Sequence, residues 1–459
     1  MEKLLLSLTV LLLVLTITFV GCKVSGKKKE IKPFVSDVVH PEWSKNAVVY
    51  EVNVRQFTPE GTFNAFASHL PRLKELGVDI LWFMPINPIG VKNRKEPLGS
   101  YYSVKDYKDV NPEFGNIDDF KNMVSKAHDL GFHVIMDWVP NHSSWDNKLT
   151  VEHPDWYVRD SKGSFIPPIG FDWTDVIQFD WSNSELQNYM IAALKFWVDM
   201  GVDGFRVDHP HKTPYEFWER ARGELNKIRP VFMVAENEEQ TDFMKKGFDM
   251  SYAWELHHLM NSIAQGKDSV KTLNKYYSKE LSVFPQNVYR MVFLDNHDEN
   301  SWNGTINSRM GVAQKAFAVF TFTTQGVPLL YNGQEVGLAK SLRFFERDTI
   351  KWDTCELTGF YKNLIRLKKS NPALANGEFG SVMDMIKTSK DSKVFCFARE
   401  LEGNRVMVFL NLSKRKVSIK PGLDKYQGDY TDYFTGSKTV VPLTDSIRLD
   451  PWGYKVIVR

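Results

Sequence analysis

Cysteine is scarce in this chain: there are three in 459 residues, and Cys22 closes an N-terminal apolar run. Beyond it stand only Cys355 and Cys396, and two lone cysteines read as unpaired packing residues. No CxxC pair and no His-rich spacing occurs, so nothing in the pattern points to zinc. An excess of one charge is missing too. A formal net charge of +2 leaves no electrostatic footprint for nucleic acid or for an acidic partner surface. No GxGxxG follows the first strand-like run, which argues against a dinucleotide-binding open sheet.

What is present is ordinary for a soluble globular protein, with 43% hydrophobic and 25% charged residues. The length calls for two or three domains, or one barrel with an appendage. Aromatics reach 13%, including 13 Trp and 17 Tyr, which suits both a large aromatic core and a cleft that stacks on sugar faces. The first residues, "MEKLLLSLTVLLLVLTITFVGC", read as a secretory signal with a small-residue cleavage site. Its end, "FVGC", resembles a bacterial lipobox, in which Cys22 becomes the lipid-bearing N-terminus. A plain transmembrane anchor is the alternative. Either way the expected location is extracytoplasmic, on a membrane. Residues 23–44, opening with "KVSGKKKEIK", are expected to form a linker.

Eight apolar runs read as strands: "AVVYEV" from Ala47, "DILWFM" from Asp79, "HVIMDW" from His133 and "DGFRVD" from Asp203, then "VFMVAE" from Val231, "FDMSYA" from Phe248, "MVFLDN" from Met291 and "VPLLYN" from Val327. Helical patterns such as "DFKNMVSKAHDLG" separate them, which implies right-handed βαβ units and a parallel sheet. Eight units predict an α/β fold, a closed (β/α)8 TIM barrel over residues 45–377. Asp208 to Glu236 is 28 positions, close to one βαβ repeat. Asp137 to Asp208 is 71, so an excursion over 143–182 is expected to protrude after the third strand. From residue 378 the texture changes to short alternating runs and polar turns, which predicts a C-terminal antiparallel β-sandwich over 378–459.

Asp137, Asp208, Glu236 and Asp298 each end a predicted strand, on the rim where barrels gather catalytic residues. Four acids at one rim repel unless cations or a shared proton relieve them. Arg206 lies two residues before Asp208 and on the same side of the strand, while His142, His211 and His297 offer neutral donors. Glycosidic cleavage uses such a set: one carboxylic acid protonates the leaving oxygen, and one carboxylate attacks the oxocarbenium-like carbon. Asp208, beside Arg206, is expected to be the ionised group. Glu236, after the apolar "VFMVA" and without an adjacent cation, is expected to be raised and protonated.

The chain resembles the α-amylase family, glycoside hydrolase family 13, over residues 45–459. The family's motifs stand as "DWVPNH" (137–142), "GFRVDHPHK" (204–212), "VAEN" (234–237), "FLDNHDEN" (293–300) and "GVPLLYNGQE" (326–335). The resemblance implies that Asp208 is the nucleophile, Glu236 the acid/base and Asp298 the transition-state stabiliser. It implies that Arg206, His142 and His297 hold the substrate, that Tyr102 stacks on the sugar, and that Asp137 and Asn141 support the site. The substrate it implies is a starch-type α-1,4-glucan or maltooligosaccharide. One departure concerns calcium, which many members bind between barrel and excursion. Asn141 is present, but the matching aspartate is Gln178 and the matching histidine is Lys212, so no metal is expected there. A glucanotransferase or trehalose synthase would share these residues. A silent glycan-binding lipoprotein would have lost one of the three acids, and none is lost.

Overall fold

The computed structural model describes residues 34–441 and 446–459. The signal-like run, Cys22 and the first part of the expected linker lie outside the described residues. Eight parallel strands close into a barrel in chain order around the ring. They are β1 (Val49–Val52), β2 (Ile80–Phe83), β3 (His133–Trp138), β4 (Gly204–Val207), β5 (Phe232–Ala235), β6 (Met250–Tyr252), β7 (Tyr289–Phe293) and β8 (Val327–Tyr331). The strands are buried on both faces, so they read as continuous apolar runs. One series of side chains, including Val49, Ile80, Ile135, Val234 and Met291, fills the lumen. The alternate series, including Val48, Leu81, Val134 and Val292, packs outward on the helices. At the foot of β4 a Cβ on Gly204 would stand 1.9 Å from the Phe232 carbonyl oxygen, so the approach of β5 requires glycine.

Two loops rise from the rim that carries the acids. The excursion after β3 opens as a ribbon, His142–Ser144 against Val176–Gln178. The loop over residues 84–116 leans on it through Ser144 N–H donating to the Val104 carbonyl, 2.9 Å. Residues 34–44, expected to be linker, are packed instead. Ser36 hydroxyl donates to Met244 O at 2.7 Å, buried His40 pairs with Asp249 at 2.7 Å, and Trp43 stacks on His133 at 3.8 Å. Their apolar and paired side chains close the opposite end of the barrel.

The C-terminal region is a six-stranded antiparallel sheet with a separate two-stranded sheet, Val417–Ile419 against Ile447–Leu449. Met407, Phe409 and Ile457 form one core with the small sheet. Phe395, Phe397 and Val408, on the other face, join the main core with barrel-helix residues Tyr277 and Phe320. The sandwich is therefore lopsided, and the barrel covers the face that the small sheet does not.

Candidate active site

Alternation carries the lumen series straight into the chemistry. Val49 is followed two residues on by Glu51, Ile135 by Asp137, Val234 by Glu236, and Gly204 by Arg206 and then Asp208. Parallel register sets Asp137 beside Arg206 and Arg206 beside Val234, so the guanidinium stands between two acidic strands. Arg206 Nη1 donates to Asp137 Oδ1 at 2.8 Å and to Asp208 Oδ1 at 3.0 Å. Its Nη2 lies 3.0 Å from Glu236 Oε2, and its Nε donates to the Tyr252 hydroxyl at 3.1 Å. Trp82 covers the guanidinium at 5.2 Å.

The expected rise of Glu236 is not found in the open cleft. Glu236 does have an adjacent cation. Burial works to raise it, but Arg206, His209 and the His209 N–H hold its carboxyl down at about 2. For Asp208, burial together with the Glu236 charge outweighs His209 and Arg206 and lifts the carboxyl to about 6. Burial lifts Asp137 to about 7 against the same guanidinium. Spacing along β4 reveals the pairing of Arg206 with Asp208, but the fork's second prong is spent on the neighbouring strand.

His297 departs from its expected neutral state. Burial disfavours its charge, yet Asp298 and Glu51 raise the imidazole to about 9. Its Nδ1 lies 2.6 Å from Glu51 Oε1, its Nε2 2.8 Å from the Tyr102 hydroxyl and 3.3 Å from Asp298 Oδ2. Tyr102 also donates to Asp137 Oδ2 at 3.1 Å. His142 and His211 do stay neutral, pressed down by burial to about 3 and about 4.

The structure brings Tyr102, His142, Asp208, Glu236, His297 and Asp298 to the wall of one cavity of about 390 Å³. An oxygen of Asp208, an oxygen of Glu236 and a ring nitrogen of His209 lie within 4.8 Å of one another. Arg206 and Asp137 lie beneath, fully buried, and Asn141 supports from behind with its Nδ2 3.3 Å from His142 Nδ1. Sequence reasoning missed Glu51, although an acid in step with Val49 inside "AVVYEV" signalled a lumen charge. It also missed His209, Trp173, Trp302, Phe344 and Phe345 on the cavity wall, which come from four separate loops with no periodic signal.

The paired carboxyls, one guanidinium and an aromatic wall can bind a polyhydroxylated ring and move a proton beside an attacking carboxylate. Comparison with known proteins agrees. The sequence model described as the alpha amylase catalytic domain matches residues 39–371. Alpha-amylase MalA of Haloarcula japonica is 27% identical over 432 residues, covering 90% of this chain and 62% of that protein. Alpha-amylase 2 of Dictyoglomus thermophilum is 24% identical over 464 residues, covering 91% of this chain and 77% of that protein. The crystal structure of an alpha-amylase from Lactobacillus plantarum superposes with a TM-score of 0.82 at 30% identity, covering 91% of this chain and 99% of that one. A maltogenic alpha-amylase from Thermotoga neapolitana gives 0.83 at 27% identity, with the same coverage.

Proposed function

Because the chain belongs to the alpha-amylase family, we propose that it is a retaining glycosidase of α-1,4-linked glucans or maltooligosaccharides, working by double displacement. Asp208 attacks the anomeric carbon while Glu236 protonates the departing glycosidic oxygen. Glu236 then takes a proton from the water that releases the covalent sugar. Asp298, with protonated His297 beside it, faces the developing positive charge. Tyr102 offers its ring to the same sugar, and Arg206 holds Asp137, Asp208 and Glu236 together. The observation that carries this reading is that Asp208 and Glu236 face one cavity with an oxygen of each within 4.8 Å of the other. Retaining enzymes set their carboxyls about 5–5.5 Å apart, and inverting enzymes leave room for a water between them.

The test is a product profile on starch, pullulan, cyclodextrin and maltotriose with the purified protein, together with Glu236→Gln. Turnover is expected to vanish in the variant while glycan binding remains. Undiminished turnover would remove Glu236 from the mechanism, and non-reducing products would favour a transferase or isomerase.

The reading carries no calcium between barrel and excursion. Asn141 keeps a buried Oδ1 without a partner among the described residues. That is one oxygen where Ca²⁺ takes about 6–8. Gln178 Oε1 is already used by the Ile169 N–H at 3.2 Å, and Lys212 brings an ammonium against the Phe171 ring at 4.9 Å. EDTA is therefore expected to leave Tm unchanged, and a clear fall would overturn this. The N-terminal run supports a lipid anchor on Cys22 and an extracytoplasmic location. Labelled palmitate should enter the wild type and not Cys22→Ala.

A further inference from the structure

His209 follows Asp208 and has no part in the reading above. Its backbone is left-handed, with φ 41° and ψ 53°. Residues with a Cβ rarely adopt that conformation, and His, Asn and Asp tolerate it best. The turn aims the His209 N–H at Glu236 Oε2, 3.1 Å away. It also folds the ring back toward the same oxygen, with Nε2 at 3.8 Å. Trp173 and Phe171 flank the ring at 5.3 and 5.9 Å, and 28% of the side chain stays exposed to the cleft. One residue thus touches the acid/base by its backbone and approaches it by a titratable ring open to solvent.

We propose that His209 and Glu236 share one proton, which rests on the imidazole in the open cleft and passes to Glu236 when a glycan fills it. The proposal rests on the glycosidase reading. In the transfer the His209 Nε2–H bond breaks and a Glu236 Oε2–H bond forms. The opposite charges cancel, and no other bond changes. The 3.8 Å separation exceeds hydrogen-bond length by about 0.6–1 Å, which a small rotation of the ring closes. The driving force is dehydration. Water stabilises both separated charges in the open cleft and Arg206 the carboxylate, and a sugar that displaces this water favours the neutral pair.

The surrounding charges agree. Burial opposes an imidazolium at position 209, but Glu236 and Asp208 outweigh it, with a smaller contribution from Asp298 and opposition from Arg206. Arg206 on β4, Lys212 on the same turn, and Lys95 and protonated His297 on the cavity wall are cations around the pair. His211 and, from the excursion, His142 are neutral near pH 7.

The experiment compares kcat/KM against pH for His209→Asn and the wild type on a maltooligosaccharide. Asparagine keeps the left-handed turn and removes the titrating ring, and Tm of both proteins checks the fold. With a shared proton, the alkaline limb of the variant falls at lower pH than wild type, by about one unit or more, because Glu236 alone must then hold the proton. A dinitrophenyl maltooside, whose leaving group needs no acid, should erase that difference. A limb that moves up would make the ring only a fixed charge, and an unmoved limb with a uniformly lower rate would make it only structural. Either result overturns the proposal. A wild type inert on every maltooligosaccharide would sink the glycosidase reading instead. In that case the His209 ring, followed by NMR in the full chain, decides: titration at or below the ordinary histidine value would overturn the resting ion pair.

Discussion

Arg206 answers for three acids at once, and its removal exposes how they are balanced. It is fully buried and reaches Asp137, Asp208 and Glu236 together. Breaking a buried charge cluster by deleting one partner costs about 3–5 kcal/mol, and Arg206→Met is expected to lose that much near neutral pH. The loss should shrink in acid. Asp137 and Asp208, raised to about 7 and about 6, bind protons more tightly folded than unfolded. Their contribution to stability is greatest below the unfolded carboxyl value of about 4 and falls as pH rises through the folded values. Without the guanidinium that fall becomes steeper. Urea denaturation at acid and alkaline pH checks this, and an equal loss at both would reject it.

At the scale of the elements, the foot of β4 shows an acid whose value moves the other way. Asp203 Oδ2 accepts from the Val134 N–H at 2.8 Å and meets His128 Nε2 at 2.7 Å, tying β4 to β3 and its helix, Ile117–Asp129. Burial raises this carboxyl, but the His128 and His133 bonds outweigh it and hold it at about 2. A depressed acid contributes stability above its unfolded value and loses it as pH falls through the folded one. Asp203→Asn is thus expected to cost about 2 kcal/mol at neutral pH, at 1.36 kcal/mol per unit, and progressively less from about pH 4 to pH 2. A pH-independent cost in denaturant titrations would count against the pairing. The strands themselves were legible, because runs bounded by turn residues are buried on both faces. The excursion was legible as surplus length. The contact between that excursion and the loop over 84–116 was not, because irregular segments have no period to read.

At the scale of the whole molecule, the C-terminal sheet and the barrel share one core. Phe397 is fully buried among Phe395 and Phe320. Arg399, also buried, donates to the carbonyls of Ser381, Thr324 and Ala375. Phe397→Ala should cost about 3–5 kcal/mol. Calorimetry of the wild type should show a single transition for barrel and sheet together, and two separated transitions would contradict a common core. The sequence foresaw a sandwich here, since strand alternation is local. It did not foresee that one face of the sheet belongs to the barrel, since both faces are apolar and neither names its partner.

The sequence alone determined the order of strands, the rim on which the acids stand and the strand-borne acids Asp137, Asp208 and Glu236 that reach it, because alternation with period two is a property of a few neighbouring residues. It did not determine how charge is distributed among them. That depended on which side chains from other strands stand within a few ångströms and on how much water is excluded, and both are set only when the barrel closes. So Glu236 gained a guanidinium that its own strand does not supply, Glu51 claimed His297 across the lumen, and the strained turn at His209 folded an imidazole toward an acid far away in the sequence.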